Sequence, residues 1–412
     1  MAIDQATLAR RLRAARESQN LTQEQAAAAV AMPRTALVQI EAGKRAVSSL
    51  ELADLAKLYR CSLEGLFQEE EAGLSSPAPL QALCRAVPDV AGSPQFERCL
   101  ERIFELCQQG AHLERLLGLK ARGGPPAYPL PRPVRKLQAV DQGARVAHQE
   151  RRRLELGDAP IADVADVLGS QQIWATGVEL PDEMSGLFVH DPDVGMVILV
   201  NVAHARARKR FSYSHEYAHA LMDRDEVTPT QLKNRNDLSE VRANAFAAAF
   251  LMPEGGVEAL LGWLQKGLPS RQYATVYDQA TEERDSEPIA AESRSKPGSQ
   301  TLTYKEAATL AHHFGVSYKA MTYRIRNLEW INQKECEELL GQEIFGRQYR
   351  DLLGLDPEEA EPQAHRELNS QIAYLAIEAF RRDEISRGRL LELSDLLELD
   401  GQRFLGLATA AT

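Results

Sequence analysis

The segment Phe211 to Met222, FSYSHEYAHALM, contains the pattern His-Glu-x-x-His. Residues four apart lie one above the other on the same face of an α-helix, so His215 and His219 can offer two imidazole nitrogens to one metal ion. Glu216 lies beside them, where its carboxylate can exchange a proton with water at that ion. The pattern constrains the fold, because a complete metal site needs a further ligand from an element packed against this helix.

The third ligand is expected on a second helix. A tetrahedral catalytic zinc site has three protein ligands and one position open to water. The segment that follows Ser239 predicts such a helix, which ends at Pro253, and Glu240 and Asn244 within it are again four residues apart. Glu240 can bind the metal, while Asn244 can hydrogen-bond a ligand histidine from outside. These residues predict a Zn²⁺ peptidase site with Glu216 as general base.

Motifs on both sides of the histidine helix extend this pattern. HEYAH is followed by E-x-x-x-N-x-F-A-x-x-F-L-M-P and preceded by LGDAPIADVADVL and the strand-like MVILVN, while FGVSYKAMTYRIRNL lies downstream. Together these motifs, which extend from about Val140 to Leu340, resemble the ImmA/IrrE family of metallopeptidases. The resemblance implies a thermolysin-like zinc site and, often, a partner that is a DNA-binding repressor.

Length and composition restrict the class of protein. A chain of 412 residues suggests two or three domains, and a hydrophobic fraction of 44% is sufficient for their cores. A net charge of −11 excludes a basic protein that coats polyanions, so DNA binding would need a local patch. Five scattered cysteines without a C-x-x-C pair indicate reduced thiols. No signal-peptide core and no long apolar stretch are present, so the sequence predicts a cytoplasmic protein without a membrane partner.

Residues 4–67 predict five short helices joined by tight turns. Thr22 to Gln25 and Ser48 to Glu51 form capping boxes, and Pro33 fits the first turn of a third helix that ends at Gly43. The stretch LTQEQAAAAVAMPRTALVQIEAGKR resembles the Cro-type (XRE) helix-turn-helix family. In that family the third helix lies in the major groove of DNA, and two-fold operators imply a homodimer.

This second resemblance assigns DNA contacts to six positions. They are Gln23 toward a phosphate, Arg34, Thr35 and Gln39 toward base edges, and Lys44 and Arg45 toward the DNA backbone. The sequence departs from the family pattern at Ala31, where glycine is common, and at Pro33, which replaces a capping serine. Residues 4–66 carry nine basic and seven acidic side chains, a net charge of +2. A helical bundle used for pairing with another protein is therefore kept as the alternative.

The remaining chain is divided into three regions. Residues 68–134 are predicted as a helical linker region, residues 135–345 as the ImmA/IrrE-like peptidase domain, and residues 346–412 as a C-terminal helical tail. The predicted fold class is mainly α with a small β-sheet, that is, an α+β zincin-like peptidase domain plus an all-α five-helix domain. A polar stretch at 278–300 is interpreted as a loop or insertion.

Two strands are predicted ahead of the histidine helix, at Ser185–His190 and Met196–Val200. The run MVILV is apolar on both faces. We interpret it as an edge strand at which a substrate peptide could be added to the sheet. An ordinary buried strand is the alternative interpretation.

Two classes of function fit these features. The first is a DNA-binding regulatory zinc metalloendopeptidase that cleaves a helix-turn-helix repressor, or itself, in a stress, DNA-damage or mobile-element response. The second is an XRE-type regulator or antitoxin-like binding module whose peptidase-like domain is a sensor without proteolytic activity. Glu216 favours the first, because a sensor has no chemical need for it. Tyr213, Tyr217 and His204 are near enough in sequence to donate to an oxyanion, and none is assigned.

Overall fold

A computed structural model divides the chain into two compact units, Met1–Gln81 and Ala82–Thr412. It describes residues 5–18, 21–59, 94–120, 122–191, 194–224, 229–231, 237–267, 272–276, 289–293, 296, 298–355 and 365–410. The predicted fold class is confirmed, since among the described residues helices dominate both units and the β-structure consists of a small four-stranded sheet and one pair of strands. Among the described residues no single helix is long and apolar enough to span a membrane. One consecutive pair of helices, Leu238–Leu251 and Glu254–Trp263, reaches the required length and apolar composition only when the two are taken together across a bend of 44°.

Four helices form the described part of the N-terminal unit. They are α1 (Gln5–Ser18), α2 (Gln23–Ala29), α3 (Arg34–Glu41) and α4 (Ser49–Leu58). Both predicted capping boxes are present, because Thr22 Oγ1 accepts from the Gln25 amide and Ser48 Oγ accepts from the Glu51 amide. The predicted fifth helix falls in residues 60–67, outside the described part.

The turn from α2 to α3 contains both residues that depart from the family pattern. Ala31 has a φ of +51°, the left-handed conformation for which glycine has no steric cost. Pro33 lies at the N-cap of α3, one position before the first turn in which it was predicted, and makes no side-chain cap. The turn is therefore formed without the two residues that favour it most.

A buried ion pair holds α1 against α3. The Arg16 guanidinium donates to both oxygens of Glu41, at 2.7 and 3.0 Å, and also to the Leu21 carbonyl at 2.6 Å. Around this pair, Leu12, Leu37 and Ile40 fill the apolar core. These contacts fix the position of α3 within the unit.

The larger unit contains thirteen described helices and six strands. The helices are α5 (Pro94–Leu116), α6 (Lys136–Arg153), α7 (Val164–Ser170), α8 (Arg206–Met222), α9 (Leu238–Leu251), α10 (Glu254–Trp263), α11 (Tyr304–Phe314), α12 (Tyr318–Asn327), α13 (Gln333–Gly341), α14 (Glu343–Leu352), α15 (Arg366–Arg381), α16 (Arg387–Leu396) and α17 (Gly401–Thr409). The strands are β1 (Ile173–Val178), β2 (Met184–Asp191), β3 (Gly195–Asn201), β4 (Pro229–Gln231), β5 (Gln272–Val276) and β6 (Ile289–Ser293).

The sheet has the strand order β1–β3–β2–β4, with β1 parallel to β3 and β2 antiparallel to both of its neighbours. The prediction that MVILV is an edge strand is wrong. Met196–Val200 pairs with β1 on one side and β2 on the other. A run that is apolar on both faces is typical of a strand buried on both faces, which is the alternative that the sequence left open.

The histidine helix α8 packs on β2 and β3 and against α9. On its other side α9 contacts α6 so closely that a Cβ on Gly143 would lie 2.2 Å from the Arg242 carbonyl oxygen. Ala243 and Ala247 of α9 are fully buried in this packing. Small residues thus allow three helices to approach one another around the histidine motif.

The helices α11, α12 and α13 belong to the same apolar core as α8 and α9. β5 and β6 pair with each other in antiparallel orientation, one before and one after residues 277–288. Neither strand was predicted from the sequence. Most of the predicted polar loop at 278–300 lies outside the described residues.

The C-terminal helix α15 packs against β1 and α5. Thr176 of β1 donates to Glu367 at 3.3 Å, and Arg102 of α5 donates to the Leu396 carbonyl at 2.9 Å. The predicted domain boundaries at residues 134–135 and 345–346 lie inside this unit and stay predictions.

Candidate metal centre

Three polar side chains meet where α8 packs against α9. His215 Nε2 lies 3.2 Å from His219 Nε2 and 3.1 Å from Glu240 Oε2, while His219 Nε2 lies 3.5 Å from Glu240 Oε1. All three residues are buried. The structure therefore brings together the three residues for which the sequence predicts a role as metal ligands.

The spacing and chemistry of these donors fit a small tetrahedral cation. Ligand atoms about 2.0–2.1 Å from zinc lie roughly 3.3 Å apart at tetrahedral angles. The separations here are 3.1, 3.2 and 3.5 Å. Two imidazoles and one carboxylate are also a known donor set of catalytic zinc. In the part of the chain that the structure describes, no other group of three His, Cys, Asp or Glu has this mutual closeness.

Hydrogen bonds on the outer side of each imidazole orient the ring. Asn244 Oδ1 lies 3.1 Å from His215 Nδ1, and Asp223 Oδ2 lies 3.1 Å from His219 Nδ1. Because both oxygens accept, each Nδ1 carries a proton, and Nε2 is the ring atom that faces Glu240 and that binds a metal ion in its unprotonated form. Asn244 was predicted for this position from its spacing to Glu240, whereas Asp223 was missed.

Asp223 is held in turn by a buried arginine. Arg242 donates to Asp223 Oδ1 and, at 3.4 Å, to Gln142 Oε1. The Gln142 amide donates to the Pro131 carbonyl at 3.0 Å. Asp223 could have been found, because it follows His219 by the same four residues that separate the two histidines. Nothing in the sequence marks Arg242 or Gln142.

The charges of the cluster shift two pKa values in opposite directions. Burial alone would lower the pKa of His219, but hydrogen bonds to Asp223 and Glu240 and the charge of Glu216 raise this pKa to about 10. Burial would raise the pKa of Glu240, but hydrogen bonds from His215 and His219 lower this pKa to about 2. The surroundings therefore favour an ionised carboxylate beside a positive charge.

Glu216 is fully buried between α8 and the sheet. A Cβ on Gly186 of β2 would lie 2.6 Å from Glu216 Oε1 and 2.9 Å from its Cγ. β4 pairs with the same part of β2, with Thr230 opposite Gly186. A glycine at position 186 is thus what leaves room for the candidate general base.

Tyr217, one of the three unassigned oxyanion donors, serves another contact. Its hydroxyl donates to Glu150 Oε2 at 2.7 Å, and Glu150 also accepts from Tyr128 at 2.6 Å. This network ties α8 to α6. Tyr213 and His204 stay unassigned.

Two family models match the chain. Residues 12–66 match the helix-turn-helix family, and residues 175–267 match the IrrE N-terminal-like domain of peptidase family M78. The chain therefore carries an XRE-type helix-turn-helix domain and an IrrE N-terminal-like peptidase domain. Both resemblances inferred from the sequence are confirmed. No curated protein gives a significant match.

The IrrE N-terminal-like match covers the whole candidate centre. It begins in β1 and ends after α10, and it includes Glu216 and the cluster of His215, His219 and Glu240. Gln142, which accepts from Arg242, and Pro131, which accepts from Gln142, lie before the matched residues. The centre therefore depends on chain that precedes the matched domain.

In the helix-turn-helix domain, α3 presents the predicted base-contacting residues to solvent. Arg34, Thr35 and Gln39 are all exposed, and so is Lys44 after the helix. Arg13 of α1 lines the same groove as Arg34. Arg13 is a basic side chain that the sequence analysis did not include.

Two of the predicted DNA-contacting residues bond within the domain. The Gln23 amide donates to Glu41 Oε2 at 2.8 Å, and half-buried Arg45 pairs with Glu51 at 2.7 Å. The Arg45 pair lies near the surface, where such pairs stabilise little and exchange partners readily. The Gln23 contact joins α2 to the buried ion pair that holds α3.

Proposed function

We propose that the protein is a DNA-binding regulatory zinc metalloendopeptidase. Its substrate would be a helix-turn-helix repressor, or the chain itself, in a stress, DNA-damage or mobile-element response. The observation that carries this proposal is the convergence of His215, His219 and Glu240, with separations of 3.1–3.5 Å, inside an IrrE N-terminal-like domain.

The chain supplies a complete set of groups for holding Zn²⁺. His215, His219 and Glu240 would be the ligands. Zinc in such a site acts as a Lewis acid and lowers the pKa of water to about 7. Asn244 and Asp223 would hold the two imidazoles in the tautomer that binds metal, because each accepts the proton of Nδ1.

Glu216 would act as the general base. Its carboxylate would take a proton from the attacking water and then deliver that proton to the leaving amine. Its position next to His215 on one helix, packed against Gly186, restricts the directions in which the carboxylate can point. Restricted orientation of this kind lowers the entropy cost of proton transfer.

The N-terminal domain would bring this activity to DNA. Exposed Arg34 and Gln39 have the donor geometry to read guanine and adenine in the major groove. A two-fold operator would be bound by a homodimer. A repressor with a similar helix-turn-helix would bind the same operator and so lie close to the peptidase. Either that repressor or the second copy of this chain would then be within reach of cleavage.

The decisive test is the variant Glu216→Gln, with exposed Glu179→Gln of the same domain as matched control. Zinc-loaded full-length protein is incubated with a peptide library of randomised sequence and, separately, alone, and products are identified by mass spectrometry. General acid–base catalysis contributes about 10²–10⁴-fold, so Glu216→Gln should bind zinc normally and lose cleavage to that extent. Equal cleavage by both variants would refute the assignment. A wild-type protein that binds zinc and DNA but cuts nothing would favour the sensor function.

A further inference from the structure

A pocket of about 610 Å³ lies at the N-terminal end of α8. Its other walls come from the segment before α7, from the turn between α11 and α12, and from α14. The described lining includes none of His215, Glu216, His219 and Glu240. Pockets that bind small molecules have volumes of about 300–1,000 Å³. This pocket can therefore hold a small ligand that does not contact the metal centre.

The charged side chains of this pocket are mainly arginines. Arg206 and Arg210 come from α8, Arg347 and Arg350 come from α14, and Glu343 is the one acidic residue in the described lining. With the histidines of the wall neutral, the four arginines and one glutamate give the lining a net charge of +3. Such a field attracts anions, and it favours a dianion over a monoanion.

Arg210 is the buried member of this group. Its side chain donates to the carbonyls of Ile161 at 2.5 Å and Ala162 at 2.8 Å, the residue is 8% exposed, and its Nε has no hydrogen-bond partner among the described residues. Burial and the charge of Arg206 lower the pKa of this guanidinium, and the charge of Asp163 offsets them only in part. An anion in the pocket would compensate the buried positive charge.

The backbone adds to the positive potential at this end of α8. The helix has 17 residues, and Ala205, its N-cap, has no side chain that could accept from the first amides. Arg206 and Ala207, its first two residues, line the pocket. The first amides of a helix lack acceptors within the helix and carry a partial positive charge, so they are suited to donate to phosphate oxygens.

We propose that this pocket binds a small phosphate ester that has an apolar or aromatic body. Its permanently charged cations are all arginines, and one planar guanidinium can donate to two phosphate oxygens at once. Apolar wall residues, which include Pro160, Ala162 and Val316, would cover the rest of the ligand. The inference goes beyond the proposed peptidase function and depends on neither zinc nor Glu216.

The test is a calorimetric titration of the full-length protein with phenyl phosphate at mildly alkaline pH. This probe combines a dianion with an aromatic ring and should bind saturably, one molecule per chain. Benzoate carries a single charge on the same ring, and inorganic phosphate lacks the ring. Each should bind at least about tenfold more weakly, because each loses part of the charge or of the apolar contact.

Two variants place the binding in this pocket. Arg206→Ala of α8 and Arg347→Ala of α14 each remove an exposed guanidinium from the wall. Each should weaken the binding of phenyl phosphate by about tenfold or more, the usual effect of losing a charge-assisted hydrogen bond. Arg208→Ala is the matched control, because it removes the same charge from an exposed position of α8 outside this pocket. Its affinity should equal that of the wild type.

The other outcomes contradict the proposal. The pocket assignment would be overturned if the wild type showed no saturable binding up to millimolar phenyl phosphate. It would also be overturned if Arg206→Ala and Arg347→Ala bound as tightly as the wild type, because the probe would then bind elsewhere. Equal affinities for phenyl phosphate and benzoate would refute the assignment to a phosphate. If the two variants weakened only the binding of DNA, this surface would contact the DNA backbone, and the proposal would fall. None of these results changes the cleavage test of Glu216→Gln.

Discussion

The Nε2 atoms of His215 and His219 lie 3.2 Å apart. Their Nδ1 atoms hydrogen-bond outward, to Asn244 and Asp223, so that both Nε2 atoms face each other and the Glu240 carboxylate. Two imidazole nitrogens and a carboxylate this close need a positive charge among them, which a proton on His219 or a bound cation can supply. The three side chains therefore form a cluster that could hold a metal ion.

Asn244→Ala should weaken zinc binding by about 10–100-fold, the usual effect of removing a partner that orients a metal ligand. The His215 ring would lose the acceptor of its Nδ1 proton and could rotate or change tautomer. The affinity is measured by competition with a chromogenic chelator. Asn244→Asp keeps an acceptor oxygen and should retain tight binding. Equal affinities in the alanine variant and the wild type would show that Asn244 does not orient the ligand.

Gly186→Ala should lower peptide cleavage by on the order of a hundredfold, because the new methyl group would displace the Glu216 carboxylate. The stoichiometry of zinc should stay the same, since the ligands lie on α8 and α9. Gly177→Ala of β1 is the control, because the three atoms nearest its Cβ would all belong to Val202, the closest at 3.3 Å. Normal cleavage by Gly186→Ala would mean that Glu216 can move without loss of function.

Glu150→Gln should destabilise the protein by about 1.5–3 kcal/mol at neutral pH, because the buried carboxylate would lose its charge-assisted hydrogen bonds from Tyr128, Tyr217 and the exposed Arg153. Burial would raise the pKa of Glu150, but hydrogen bonds from Arg153, Tyr128 and Tyr217 outweigh it and lower this pKa. The difference in the free energy of unfolding from wild type should be constant above about pH 4.3 and shrink as pH falls through the lower, folded-state pKa.

Urea titrations at neutral and at acidic pH measure this difference, with exposed Glu155→Gln as control. If the gap between Glu150→Gln and the wild type stayed the same at pH 3 as at pH 7, the ionised carboxylate would not be its source.

Arg34→Ala should weaken binding to a DNA duplex, selected from a random pool by the full-length protein, by roughly tenfold or more. Lys44→Ala should weaken binding to all sequences alike. It should also reduce the slope of log affinity against log salt concentration by about one, the contribution of one phosphate contact. Arg10→Ala, an exposed residue of α1 that bonds to Thr7, is the control. Gel shifts at several salt concentrations provide the measurement. Unchanged affinity and sequence preference in Arg34→Ala would support the protein-pairing alternative for this domain.

The sequence by itself determined the features that depend on near neighbours in the chain. The spacing of His215 and His219, and of Glu240 and Asn244, marked the residues that the structure brings together, because helical periodicity relates positions four apart. Capping boxes at Thr22 and Ser48 likewise identified helix starts, because their hydrogen bonds span three residues.

Only the tertiary structure decided the features that join distant segments. Arg242 reaches Gln142 across 100 residues of chain, and Gly186 makes room for Glu216 of another element. Strand pairing placed MVILV at the centre of the sheet, since an apolar run does not reveal whether one or both of its edges are paired. These two contacts and the strand pairing have one physical reason in common. They depend on how whole helices and strands pack, and the local periodicity of a sequence does not indicate which surfaces meet.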